Sequence, residues 1–140
     1  MATLAEVKAA IRARFDANPI SGLTIRYQRE TTDLPDTPAP FAFVEVDFDR
    51  PFIAGFGGGR GQNLQRSEGE LLVHIFVPVG WGDAEADGWG ETIAALFRGY
   101  RDSTMSCFAA EPLPMTGKSE DGAYAHACTV VVTLHYDKTG

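Results

Sequence analysis

Apolar residues recur along this chain with two periods, and the switches between the periods mark out its elements. Leu4, Val7, Ile11 and Phe15 lie three or four residues apart, the spacing of one helix face. Thr3 with Glu6 forms a capping box, and Asn18-Pro19 stops the run, so a helix is predicted over 3–17. Leu23, Ile25 and Tyr27 then alternate with Thr24, Arg26 and Gln28, which predicts a strand over 22–28. Residues 41–48 place Ala42, Val44, Val46 and Phe48 on one face, with Phe41, Phe43, Glu45 and Asp47 on the other. A strand apolar on both sides at one end is expected to be covered there by a helix or another subunit. The most regular strand is 70–79, with Leu71, Val73, Ile75, Val77 and Val79 opposite Leu72, His74 and Phe76. Helical spacing returns in Trp89, Ile93, Leu96, Phe97 and Tyr100. This predicts a helix over 84–100, capped by Asp83 and weakened at its start by Gly88 and Gly90.

The remainder is strand-like. A short strand over 105–110 is interrupted by Glu111-Pro112-Leu113-Pro114. A long one over 124–136 carries Cys128, Val130, Val132, Leu134 and Tyr136 on one face, and alternation puts His126 with Cys128. The order implies an α+β fold: a mostly antiparallel mixed sheet with two main helices on one face. At 140 residues the chain is one ordinary domain, 1–140. Residues 30–40, with Pro35, Pro38 and Pro40, are predicted to be a loop, and a longer irregular stretch, about 50–68, contains Gly-Phe-Gly-Gly-Gly-Arg-Gly at 55–61. Such a stretch has a high ordering entropy, so it is expected to be flexible alone and held only by a partner.

Net charge is -7, from 12 basic and 19 acidic residues, which argues against an extended nucleic-acid footprint. No basic segment followed by a long apolar one opens the sequence and no apolar run approaches 18 residues, so neither a secretory signal nor a membrane-spanning helix is expected, and a soluble intracellular protein is. Cys107 and Cys128 read as buried free thiols.

The motifs of chemistry are weak. The glycine segment lacks both the Walker spacing and Gly-x-Gly-x-x-Gly. His126, Cys128 and His74 would be three soft ligands, yet the carboxylates show no matching spacing, and no metal site is expected. No serine sits in a nucleophile elbow. Glu45 and Asp47 share a strand face, either as paired carboxylates or, more simply, as a solvated strand end. Arg60 and Arg66, followed by Glu68 and Glu70, suit an intersubunit contact or a solvated hairpin. The expectation is a binding protein, not an enzyme, and without a cofactor.

The run from Leu64 to Gly80, Leu-Gln-Arg-Ser-Glu-Gly-Glu-Leu-Leu-Val-His-Ile-Phe-Val-Pro-Val-Gly, followed by Gly82 and a helix ending Leu96-Phe97, resembles small tail-completion proteins of long-tailed bacteriophages. The likeness is to the tail terminator group in particular. The resemblance implies a tail-terminator-like fold and a homo-oligomeric ring, usually of six copies. That ring caps the tail tube, ends its polymerisation and presents a surface for head joining. The implied partners are further copies of the chain, the major tail-tube protein and the head-side connector protein, with no membrane and no sequence-specific nucleic acid. The implied location is the virion tail, or the host cytoplasm during assembly. Residues 50–68 would contribute to ring or tube contacts, with Phe56, Gly57, Gly58 and Gly59 at the loop. Arg60, Arg66 and Glu68 would form one side of an interface and Glu45 and Asp47 the other. A phage neck or head-completion connector fits the same resemblance, and a cellular binding module is the further alternative.

Overall fold

A computed structural model describes residues 2–30, 37–55, 63–115, 120–121 and 123–139. Helix α1, Leu4–Ala17, buries Val7, Ile11 and Phe15. Thr3 Oγ1 accepts the Glu6 amide at 3.2 Å, and Asn18 closes the helix by donating from its amide to the Phe15 carbonyl. Leu4 lies outside the buried stripe, 43% exposed. Strands β1 (Thr24–Tyr27), β2 (Phe41–Phe48), β3 (Phe52–Gly55) and β4 (Leu64–Pro78) follow. Helix α2 spans Ala84–Phe97, and β5 (Ser106–Pro114), β6 (Glu120–Asp121) and β7 (Tyr124–Thr139) complete the chain.

The strands form one sheet in the order β1-β2-β4-β7-β5, with β3 paired to β4 and β6 to β7. All pairs are antiparallel except β1 with β2. Both helices lie on one face. Val7, Ile11 and Phe15 from α1, with Ala86, Ile93, Ala94 and Phe97 from α2, pack on Ala42, Val44, Leu71, Val73, Ile75, Val77, Cys128, Val130, Val132 and Leu134. The Phe15 and Phe97 rings meet with centroids 5.2 Å apart. Arg14 donates to the Leu96 carbonyl at 3.0 and 3.2 Å, satisfying a helix-end acceptor that the helix itself leaves open.

Several expectations need correction. Asp83 sits at the N-cap of α2 but makes no side-chain capping bond. The helix stops at Phe97 because Arg98 turns extended and Gly99 takes φ 68°. Tyr100 therefore leaves the helical stripe and donates to Asp102 at 3.0 Å. Within the stretch 50–68, residues 52–55 and 64–68 are paired strands, and residues 56–62 fall outside the described residues. Strand β5 runs on through Pro112 and Pro114. It lies at the sheet edge, where a proline that faces away from the ladder deletes no bond. The Met115 amide still donates to Ala127, so 113 and 115 point to β7 while the two prolines point outward.

The largest correction is a bulge. Ile75 pairs with Cys128 but Phe76 pairs with His126, so Ala127 is the extra residue on β7. An inserted residue moves everything beyond it to the opposite face. His126 consequently leaves the face of Cys128 and joins that of His74.

Candidate interaction surface

The helix-free face of the sheet is built from alternate residues of each strand. Strand β4 contributes Arg66, Glu68, Glu70, Leu72, His74 and Phe76, opposite Asp137, His135, Thr133, Val131, Thr129 and His126 of β7. Strand β2 adds Phe41, Phe43, Glu45 and Asp47 opposite Phe76, His74, Leu72 and Glu70. The face is divided along its length into an aromatic half and an acidic half.

In the aromatic half, Phe41 stacks on Phe76 and meets Tyr124 edge-on, each at 5.0 Å. Phe76 stacks on His126 at 4.8 Å, and His126 meets His74 at 5.2 Å. Arg26 lies over the Phe41 ring. The Thr129 hydroxyl joins the two histidines, 2.9 Å from His74 Nδ1 and 2.9 Å from His126 Nε2. One hydroxyl carries one hydrogen, so at least one imidazole must donate its N–H to Thr129. His74 Nε2 lies 3.7 Å from Glu45. Burial, then the neighbouring His74, lower the pKa of His126.

In the acidic half, Asp47 is registered directly against Glu70, with Glu45 and Glu68 close by on the same face. Like charges opposite one another on a sheet destabilise it. Phe108, 48% exposed, stacks on His135 at 5.0 Å. Arg66 makes a bidentate pair with Asp137, at 2.8 and 3.1 Å. The bond holds the Asp137 carboxyl below its ordinary pKa and raises that of Arg66. Arg66 is thus engaged within its own chain, on the face that bears Glu45, Asp47 and Glu68. Arg60, Phe56, Gly57, Gly58 and Gly59 lie outside the described residues.

Cys107 and Cys128 are free and buried among apolar side chains, and burial pushes both thiols up to about 11. The bulge separates Cys128 from the histidines, and among the described residues no three His, Cys, Asp or Glu side chains gather closely enough to hold a metal. Among the described residues no helix is long and apolar enough to cross a membrane.

No protein-family profile matches the chain, and no curated protein does. Solved structures do match. One of them, known only by a sequence identifier, superposes with a TM-score of 0.51 at 18% identity, covering 93% of this chain and 94% of its own. That likeness extends over nearly the whole of both chains and concerns the fold alone.

Proposed function

We propose that this chain is an assembly subunit with a tail-terminator-like fold, which forms a ring that caps a phage tail tube and offers a surface for head joining. The reading is carried by one observation: among the described residues the sheet has helices on one face only, and its other face sets the partly buried Phe41, Phe43, Leu72 and Phe76 beside the opposed carboxylates Asp47 and Glu70. Apolar area on such a face gains free energy when it is covered, about 25 cal/mol per Å². A cationic or hydrogen-bonding partner would also relieve the registered acids. The sequence resemblance over 64–97 supports the same reading and supplies the nature of the partner. Ring formation and capping require binding alone, with no bond made or broken.

The test is termination itself. Purified phage tail-tube protein is allowed to polymerise with and without this chain. The proposal expects shorter tubes with ring density at one end in electron micrographs. Tubes of unchanged length, with bare ends and no co-sedimenting chain, would reject it. Binding to a portal-side protein with no effect on tubes would favour the neck-connector reading.

A further inference from the structure

Among the described residues, the two lateral edges of the sheet differ in charge, the β1 edge being richer in cations and the β5 edge in carboxylates. At the β1 edge, α1 and the β1 turn bring together Lys8, Arg12, Arg26 and Arg29, against Asp16 and Glu30. Arg12 lies over the Tyr27 ring at 4.4 Å and pairs with Glu30. At the β5 edge stand Asp83, Asp87, Glu91 and Glu111; no Lys or Arg occurs between Gly82 and Phe97, and Arg98 beyond it is turned onto the Ala110 carbonyl of β5 at 2.6 and 3.1 Å. Helix α2 is drawn onto this edge by Gly90, where an added Cβ would lie 3.0 Å from Pro112 and 3.3 Å from Cys128. The edges are four strand spacings apart in the order β1-β2-β4-β7-β5, about 19 Å.

Both edges are recessed on the side of the helices. The β1 edge has a groove of about 320 Å³ between α1 and the sheet, with Ile11, Tyr27, Val44 and Val46 along it and Lys8, Arg12 and Glu30 as its charged lining. Part of its wall is held by the Val46 amide, which donates to Gln28 Oε1 at 3.3 Å beyond the end of β1. On the helix side of the β5 edge, Asp87, Glu91, Pro112, Pro114 and Cys128 line a second recess of about 280 Å³, while the exposed Leu113 and Met115 alternate to the helix-free side, where Met115 meets Thr129. The outward-facing Pro112 and Pro114 offer no amide to a neighbouring strand, so this edge cannot extend the sheet and must meet a partner through side chains.

From this we infer that the occupant of the β1-edge groove is the β5 edge of a second copy of the chain, with Lys8 and Arg12 meeting Asp87 and Glu91 beside Pro112 and Pro114. The inference rests on the ring reading above and deepens it. One patch meets a different patch, the heterologous contact that repeats into a closed ring. It also leaves the helix-free sheet face and the β3–β4 hairpin available for the tube or connector.

The experiment uses the full chain and two charge-reversed variants. Lys8→Glu with Arg12→Glu makes both edges acidic; Asp87→Lys with Glu91→Lys makes both basic. Sedimentation velocity over a concentration series reads assembly, and circular dichroism melts read folding. Each variant alone should need about a hundredfold higher concentration to assemble, since juxtaposed like charges cost several kcal/mol and each 1.4 kcal/mol is tenfold. An equimolar mixture should assemble like wild type, with the two variants alternating. A third variant, Ala9→Trp, fills the groove from the exposed side of α1 without changing charge, and should also block assembly even if a reversal variant fails to fold. Variants that all assemble like wild type would overturn the edge-to-edge contact while leaving the ring in place. A wild type that remains monomeric at every concentration would overturn the ring as well.

Discussion

Replacing Gly69 with alanine sets two effects of opposite sign against each other. Glycine within a strand costs about 0.5–1 kcal/mol relative to alanine through backbone entropy, so propensity alone predicts stabilisation. The packing predicts the reverse. A Cβ at Gly69 would lie 2.2 Å from the Asp47 carbonyl oxygen, 2.7 Å from Phe48 Cα and 2.7 Å from Phe48 Cδ1. Two of these neighbours are backbone and cannot rotate away, so β2 and β4 must separate by about 1 Å to reach ordinary contact. Phe48 is also held against Tyr136 at 5.0 Å, which resists the movement. Overpacking typically costs about 1–3 kcal/mol, and a rigid backbone neighbour puts this site at the upper end. The net expectation for Gly69→Ala is a loss of about 2 kcal/mol, read from the shift in urea midpoint. Gly88→Ala is the control: nothing lies within 4 Å of a Cβ there, and this exposed helical site should gain about 0.5–1 kcal/mol. A Gly69→Ala protein as stable as wild type, or a Gly88→Ala protein equally destabilised, would refute the reasoning.

Phe97→Ala deletes a fully buried ring packed on Phe15 and should cost about 3–5 kcal/mol in a urea titration. Arg66→Ala should lose about 1 kcal/mol or less at neutral pH, because the pair with Asp137 is about one-third exposed. The pair's contribution is present above the ordinary carboxylate pKa and lost as pH falls through the lowered value of Asp137. Arg66→Ala should therefore flatten the acid limb of a stability-against-pH curve. His126 is disfavoured as a cation in the folded chain, so stability should also decline as pH drops from its ordinary value of 6.5 towards its lower folded value. His126→Gln should remove that part of the slope. Native Cys107 and Cys128, pushed up to about 11 and buried, should react with iodoacetamide at pH 8 only on unfolding.

Much of the fold was legible because its strong elements are long and periodic. The stripe Val7, Ile11, Phe15 and the alternation of 71–77 require burial on one face, and both are buried. Strand β3 was not legible: Phe52, Ile53 and Ala54 are exposed and lie between a proline and a glycine, without the alternation that burial imposes. The opening of β4 is similarly obscured by Gln65, Arg66, Glu68 and Glu70, whose partners come from distant β7. The histidine cluster was hidden for a different reason. Strict alternation assigns His126 to the face of Cys128, and only the bulge at Ala127, set by pairing with β4, reverses it. The sequence offers Arg66 to an intersubunit contact or a solvated hairpin because Asp137, 71 positions away, becomes its neighbour only through the β4–β7 register. The charge difference between the sheet edges likewise emerges only once the strand order places β1 and β5 on opposite sides.

The most direct test of the central claim is native mass spectrometry of the full chain across a concentration series, alone and after incubation with purified tail tubes. A capping ring should give one closed stoichiometry, six copies, that grows in with concentration and is retained on the tubes. A chain that stays monomeric throughout and does not associate with the tubes would contradict it.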